Sequence, residues 1–245
     1  ALRRMRAAFS LFRAGASNEL SAREMQALGT EAKWLAQELA PSRDLYVFLN
    51  ETVRDVPPEV TRVAQRLART HLERARAALA GDRYSTFDAT LASFVEHVPA
   101  SPGGRLDAFG ADMLQARHDK VRKRGHKVAS LDGRRLHRLR IAIKKLRYAA
   151  EFLLPAFAQP PFDSKAAKPY IEATARLQGA LGTLNDHAVA DQILASLTAA
   201  SRLSETIDKA LAKLGKQAAS GDRRRRQKLQ RAWKKFEKAE RFWQS

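Results

Sequence analysis

The sequence predicts an all-α fold from its composition, its breaks and its lack of strand patterns. Ala, Leu, Arg, Lys, Glu and Gln dominate the long segments of the chain, and these residues favour helices. Helix-breaking residues separate the segments at Pro41-Ser42, Pro57-Pro58, Pro99 to Gly104, Pro160-Pro161 and Gly221-Asp222. Only Tyr46 to Leu49 is rich enough in β-branched and aromatic residues to suggest a strand. Because it lies inside a longer helical pattern, we predict a buried helical turn there.

The composition limits the class of protein and of partner. The chain has 245 residues, 44% of them hydrophobic, which is enough for a large helical domain with a real core. Its 45 Lys and Arg residues outnumber 26 Asp and Glu residues, and a net charge of +19 favours nucleic acid, an anionic membrane surface or polyphosphate as partner. The lack of cysteine excludes disulfides and thiolate metal sites and permits a reducing compartment. No apolar run approaches the roughly 18 residues that a membrane span needs.

Three ordered matches at nearly constant spacing indicate an internal duplication. Leu2-Arg3-Arg4-Met5-Arg6 matches Ile143-Lys144-Lys145-Leu146-Arg147. The later matches pair Leu35, Leu39 and Asp44 with Leu177, Leu181 and Asp186, and Gly81-Asp82-Arg83 with Gly221-Asp222-Arg223. We therefore predict a first helical half at residues 1–130 and a second at 131–245, each with four to five helices and together one domain. The Arg-rich start is typical of a targeting peptide, but such a peptide would not recur in the middle of the chain.

The most informative helix is predicted from about Arg134 to Ala156. One narrow face of it holds charged residues spaced alternately three and four apart, namely His137, Arg140, Lys144, Arg147 and Glu151. We call these five residues the basic row. Glu151 can neutralise only one of the four cationic groups, so a bound anion is the expected partner. The alternative is a solvated face whose long side chains cover apolar surface.

Apolar residues are predicted on both sides of the basic row. The first side holds Leu136, Leu139, Ile143, Leu146, Ala150 and Leu153. The second side holds Ile141, Tyr148 and Phe152, and the remaining outer sector holds Arg138, Lys145 and Ala149. A basic row between two apolar flanks differs from the single charged arc of an ordinary amphipathic helix. We therefore expect protein to pack around its edges.

The first half repeats part of this pattern. Arg3 and Arg6 align with two members of the basic row, Lys144 and Arg147, whereas Arg4 aligns with the outer sector. Equivalents of the first two members of the basic row would precede residue 1. We therefore expect the chain to begin inside a motif, as a fragment of a longer protein.

Four further arginines are weaker candidates for anion binding. Arg117 and Arg124 fall within the apolar arc of a helix predicted from Leu106 to Val128, where a buried charge needs a salt bridge or a bound anion. Arg83 and Arg223 each follow Gly-Asp near a predicted helix start. Their repetition preserves either a binding role or a turn.

The run from Leu136 to Glu151 closely resembles the signature of the conserved histidine α-helical domain (CHAD) family, which has His, Arg, Lys, Arg-Tyr and Glu at these spacings. The segment from Leu181 to Asp186 resembles the family's second motif, and Arg43 to Val47 resembles its first-half counterpart. The resemblance implies two helical bundles, related by a pseudo-twofold axis and packed around a central basic channel, that bind inorganic polyphosphate without catalysis. By matching positions, the channel residues would be His137, Arg140, Lys144, Arg147, Tyr148, Arg3 and Arg6. Tyr148 also fits a role in packing.

The resemblance also has implications for the whole protein. Family members often carry a triphosphatase-type domain, which would lie upstream of this chain. We expect a cytoplasmic protein, with polyphosphate granules as one place to find it.

Three other functions remain open. A phosphohydrolase or an accessory enzyme domain would need clustered carboxylates to hold Mg²⁺, and the basic row offers only Glu151. The six His residues show no zinc spacing, and no Walker-type loop is present, so we predict no catalytic residue, metal or cofactor. Nucleic-acid binding fits the charge, but single-strand binders interleave aromatic residues for base stacking, so we predict only weak, non-specific affinity. A scaffold or helix-docking role is the third.

Overall fold

The computed structural model describes residues 2–16, 18–97, 105–158, 164–201 and 205–244. Two of the predicted breaks, Pro99 to Gly104 and Pro160-Pro161, lie outside these residues. The described part of the chain consists of α-helices with short 3-10 and π-helical turns and has no β-strand, so the all-α prediction is confirmed. No helix in this part is long and apolar enough to cross a membrane.

Among the described residues, five α-helices precede residue 131 and four follow it, which agrees with the expected number per half. Their bounds in chain order are Leu2–Phe12 (α1), Glu19–Val47 (α2), Pro58–Ala80 (α3), Asp82–Glu96 (α4), Leu106–Gly125 (α5), Gly133–Leu153 (α6), Ser164–Ala200 (α7), Glu205–Ala219 (α8) and Asp222–Glu237 (α9).

Most of the predicted breaks that can be checked coincide with helix ends. Helix α3 begins at Pro58, where the missing N–H of proline costs nothing because the first turn leaves that group unpaired. Gly221 precedes α9 with a φ of 81°, a left-handed conformation that glycine adopts without steric cost. The predicted break at Pro41-Ser42 is wrong, because Pro41 lies inside α2. The next turn buries Leu45 and Phe48, and this burial outweighs the backbone hydrogen bond that a proline removes.

The segment from Tyr46 to Leu49 is helical, as predicted, but only partly buried. Helix α2 runs to Val47 and is followed by a π-helical turn from Phe48 to Thr52. Phe48 is buried, whereas 63% of Tyr46 is exposed. The prediction of a buried turn is therefore correct for Phe48 and wrong for Tyr46, because β-branched and aromatic content does not tell which side of a helix meets the core.

The chain forms two compact units that do not coincide with the predicted halves, 1–130 and 131–245. Unit 1 comprises residues 1–29, 97–185 and 223–245, and unit 2 comprises residues 30–96 and 186–222. Each unit therefore draws on both halves, because the boundary between the units falls inside the long helices α2 and α7. A duplicated sequence predicts that elements recur, but it does not predict which of them pack together.

Unit 1 is built around the packing of α6 against α5. Its core continues into an aromatic cluster of His118, Tyr170, Phe236 and Trp243, in which His118 Nδ1 lies 2.9 Å from the Tyr170 hydroxyl. A Cβ atom on Gly125, at the end of α5, would lie 2.0 Å from the Trp233 ring, so only glycine fits there. Unit 2 has a separate apolar core that includes Phe48, Val60, Val63, Leu197 and Leu214.

Candidate polyanion-binding site

Helix α6 presents the basic row, and Asp132 fixes where this helix begins. The Asp132 carboxylate accepts a hydrogen bond of 2.7 Å from the backbone N–H of Arg135, which satisfies one donor of the open first turn. The helix runs from Gly133 to Leu153, and a 3-10 turn from Leu154 to Phe157 follows, close to the predicted span. At a rise of about 1.5 Å per residue, the basic row extends for roughly 15 Å between His137 and Arg147.

One flank of the basic row is the protein core, as predicted. All six apolar residues expected on this side are buried, namely Leu136, Leu139, Ile143, Leu146, Ala150 and Leu153. Ala149 is buried as well, with 1% exposure, so its predicted position on the outer sector is wrong. Helix α5 packs on this side, where Arg117 and Arg124 reach backbone carbonyls of α6. This partner widens the buried arc beyond what the periodicity of α6 alone predicts.

The cationic side chains of the basic row lie beside that core. Arg140, Lys144 and Arg147 are half-buried, and His137 is exposed. Glu151 Oε1 lies 3.2 Å from Arg147 Nε, and its Oε2 lies 3.4 Å from Nη1 of Arg4 on α1. Glu151 therefore contacts one arginine of the basic row, Arg147, and in addition Arg4 of α1. The basic row itself thus carries one carboxylate beside two arginines, one lysine and one histidine.

Tyr148 and Phe152 form the second flank, and each ring carries a guanidinium group. The two rings stack with centroids 6.4 Å apart and planes inclined by 29°. The Cζ of Arg147 is 5.2 Å from the Tyr148 ring centroid, and the Cζ of Arg4 is 5.2 Å from that of Phe152. Cation–π contacts at this distance are attractive and restrict the guanidinium groups. Ile141 in the same flank is 40% exposed, so this flank is an apolar strip at the surface and not a second core.

Helix α1 belongs to unit 1 and packs against α6. It carries three arginines, Arg3, Arg4 and Arg6. Arg3 is exposed and Arg6 is half-buried. Arg4, which the alignment assigned to the outer sector, contacts Glu151 and Phe152 of α6. Arg4 therefore joins the candidate site, although the sequence did not predict it.

His137 is linked to the second motif by a hydrogen bond. Its Nδ1 lies 3.1 Å from Oδ1 of Asn185, which is half-buried on α7. The two residues are 48 positions apart in the chain. The contact joins the first position of the histidine motif to the segment from Leu181 to Asp186.

Arg117 and Arg124 bind backbone carbonyls. Arg117 donates from Nη2 to Ser10 at 3.0 Å and from Nη1 to Lys145 at 3.5 Å, and Arg124 donates from Nη1 to Arg138 at 2.9 Å. Burial lowers the pKa of Arg117 below its usual range. The described partners are neutral carbonyls and not the carboxylates of a buried salt bridge. These two arginines link α5 to α1 and α6, which gives them a structural role.

Lys145 differs from its neighbour Lys144 in its surroundings. Its side chain lies outside the basic row and is only partly exposed, although the residue as a whole is accessible to solvent. Desolvation of its ammonium lowers its pKa, and repulsion from Arg117, Lys120 and Arg124 lowers it further. Because Lys145 has the same charge as Lys144 but lies on another face, the two form a matched pair for experiments.

Arg83 and Arg223 occupy different settings. Arg83 belongs to unit 2, where its Nε lies 2.7 Å from Glu31 Oε2 and its Cζ lies 4.2 Å from the Trp34 ring centroid. This ion pair and this ring account for the Arg83 side chain without a ligand. Arg223 is exposed in the first turn of α9 in unit 1.

Two residues of the site, Arg4 and Asn185, were not among the residues predicted from the sequence. Asn185 had a signal, because it lies in the segment that resembles the second family motif. Arg4 had none, because the periodicity of α1 does not reveal the angle at which it meets α6. Among the described residues, no group of three or more His, Asp or Glu side chains could hold a metal ion.

The fold and this geometry define an all-helical protein with a cationic row on a histidine-containing helix. The model of the CHAD domain family matches residues 1–195. The crystal structure of the CHAD domain from the plant Ricinus communis matches with a TM-score of 0.76 and 26% sequence identity, covering 98% of this chain and 80% of that chain. No curated protein matched the sequence. The chain belongs to the CHAD family, which is associated with polyphosphate binding and is generally non-catalytic.

Proposed function

We propose that the protein binds inorganic polyphosphate, without catalysis, along the basic row and the arginines of α1. The observation that carries this proposal is a line of basic side chains about 15 Å long, from exposed His137 through half-buried Arg140, Lys144 and Arg147, which is followed in the basic row by a single carboxylate, Glu151. Polyphosphate is a linear anion with charge on every unit, so it can satisfy several cations of such a line at once. The family's association with polyphosphate supports the same ligand.

The side chains of the basic row suit this ligand in different ways. Arg140 and Arg147 offer planar forks that can donate two parallel hydrogen bonds to one phosphate group. Lys144 adds a compact charge between them, and His137 extends the row at its start. Arg3, Arg4 and Arg6 would add cations from α1. Tyr148 acts through Arg147, whose guanidinium group lies over its ring.

The four weaker candidates are not part of the proposed site. Arg117 and Arg124 donate hydrogen bonds to backbone carbonyls. Arg83 forms a salt bridge with Glu31, and its guanidinium group lies over the Trp34 ring. Arg223 is exposed in the first turn of α9, and we assign it no specific contact with the ligand.

Nucleic acid is the second candidate ligand, favoured by the net charge of +19. The aromatic residues beside the basic row count against a dedicated site for it. Tyr148 and Phe152 stack on each other, and each has a guanidinium group over its ring. Bases that stack on a protein need free aromatic faces. We therefore expect only weak affinity for nucleic acid, without sequence preference.

Substitutions of matched charge test the proposed site. Charge-assisted hydrogen bonds contribute about 1.5–3 kcal/mol, so we expect Lys144→Ala and Arg147→Ala each to weaken polyphosphate binding roughly 10- to 150-fold. Lys145→Ala removes the same charge from another face and should weaken binding less than about threefold, since a distant exposed charge is screened. The affinities are measured by titration with polyphosphate of defined length at physiological salt. Equal losses in all three variants would show that the protein binds through a general basic surface.

Competition between ligands tests the choice of polyanion. Polyphosphate and single-stranded DNA of matched charge are added to the same protein at physiological salt. We expect polyphosphate to bind more tightly, with an affinity that falls steeply as salt rises because counterions are released. Equal affinity for the two ligands would contradict a dedicated polyphosphate site.

The absence of catalysis is an expectation of the same proposal. We expect no release of phosphate from polyphosphate or nucleoside triphosphates, with or without Mg²⁺. A phosphate-releasing activity that stays with the purified protein and disappears in Glu151→Gln would overturn it.

A further inference from the structure

We propose that Asn185 is a positioning residue for His137: its side-chain carbonyl holds the Nδ1–H of the imidazole and leaves Nε2 as the ring nitrogen available to a phosphate oxygen. This inference rests on the proposed polyphosphate function. It adds a residue of α7 to a site that otherwise consists of side chains from α6 and α1. It is carried by the hydrogen bond of 3.1 Å between His137 Nδ1 and Asn185 Oδ1.

The chemistry of the two groups fixes the arrangement of protons. An amide oxygen only accepts hydrogen bonds, so the imidazole nitrogen that faces it must carry the proton. A neutral imidazole has one protonated nitrogen, and holding that proton on Nδ1 leaves a lone pair on Nε2. When the ring is charged, Nε2 carries a second proton that can be donated to an anion. With Asn185 in place, His137 therefore offers a donor to phosphate only in its cationic form.

Packing alone does not explain why Asn185 occupies this position. Asparagine is a poor helix former, and here it lies well inside α7, which runs from Ser164 to Ala200. Its partner His137 is exposed, so their hydrogen bond competes with water and adds little to the stability of the fold. The bond does restrict an imidazole at the start of the basic row. Restricting a side chain before binding avoids an ordering cost that would otherwise weaken affinity.

The first measurement is made on the free protein and does not depend on any ligand. The nitrogen-15 chemical shifts of the His137 ring report which nitrogen carries the proton. We expect the Nδ1–H form to predominate in the wild type and in Asn185→Asp, whose carboxylate can also accept a hydrogen bond from Nδ1–H. Asn185→Leu should shift His137 toward a mixture of both forms. Thr183→Ala, two residues away on α7, is the control and should leave the ring unchanged. An unchanged tautomer in Asn185→Leu would overturn the inference.

The second measurement is a double-mutant cycle on polyphosphate affinity. At a pH where the imidazole is charged, we expect Asn185→Leu to weaken binding about 3- to 10-fold, the effect of losing one pre-ordered side chain. In a His137→Ala background the same substitution should have no further effect, because there is no ring left to position. Equal losses in both backgrounds would overturn the inference. If the wild type fails to bind polyphosphate, the proposed function fails and the role of Asn185 in binding fails with it. The ring shifts distinguish that outcome, because they can still show that Asn185 holds His137.

Discussion

Acid should destabilise unit 1 through His118, a neutral imidazole inside the core. His118 is 4% exposed and is surrounded by the rings of Tyr170, Phe236 and Trp243. Burial lowers its pKa from 6.5 to about 4, with a further contribution from the charge of Arg241. The unfolded chain therefore takes up this proton at a higher pH than the folded protein does. The stabilisation is fully present above pH 6.5 and is lost progressively as the pH falls toward 4.

The size of the effect follows from the two pKa values. Between about pH 7.5 and about pH 5, this group alone should lower the free energy of unfolding by about 2 kcal/mol. The assay is urea denaturation of the wild type and of His118→Asn at both pH values. Asparagine does not titrate, and its side chain can still reach the Tyr170 hydroxyl.

The comparison depends on the difference in pH sensitivity and not on absolute stability, because the smaller side chain also loses packing. The carboxylates titrate in both proteins and cancel. His118→Asn should therefore lose about 2 kcal/mol less than the wild type on acidification. Equal losses in the two proteins would refute the buried, neutral state of His118.

Three further predictions concern Glu151, Gly125 and Arg83. Glu151→Gln removes the negative charge from the basic row and should tighten polyphosphate binding about 3- to 10-fold, the effect of roughly 1 kcal/mol. If the same titration shows weaker binding, the main role of Glu151 is to orient Arg147. Gly125→Ala should lower the free energy of unfolding by about 1–3 kcal/mol through overlap with Trp233, whereas Gly133→Ala, with open space around its Cβ, should be neutral or slightly stabilising in urea denaturation. Arg83→Ala should lower the free energy of unfolding slightly and leave polyphosphate affinity within about twofold of the wild-type value. A large loss of affinity would show that Arg83 binds the ligand.

Helical periodicity predicted the features of α6 that depend on one helix alone. The positions of Leu139, Ile143 and Leu146 in the core follow from a repeat of 3.6 residues, and so does the alignment of the basic row beside them. Features that depend on a packing partner were not predictable in the same way. Ala149 is buried on the side where α5 packs, and Arg4 reaches Glu151 because of the way α1 meets α6.

The same limit explains the error at Pro41. Helix α2 continues past Pro41 because the turn beyond it is buried, which local sequence does not reveal. The division into halves came from a repeat along the chain, whereas the compact units are set by contacts between helices distant in sequence. The hydrogen bond between His137 and Asn185 is of this second kind. Both residues lie in recognisable motifs, but neither motif predicts that they contact each other.

The non-contiguous make-up of the two units has a consequence for how the protein can be divided by genetic engineering. A fragment that ends at residue 130 would lack α6 and α9 from unit 1, α8 from unit 2, and α7, which contributes residues to both. In each fragment, the apolar surface that the missing helices cover would be exposed to water. We therefore expect neither half to fold when it is expressed alone. Backbone amides near residues 29 and 185 lie where α2 and α7 pass from one unit to the other. Because each of these helices contributes residues to both units, a cut at either position would interrupt a continuous helix.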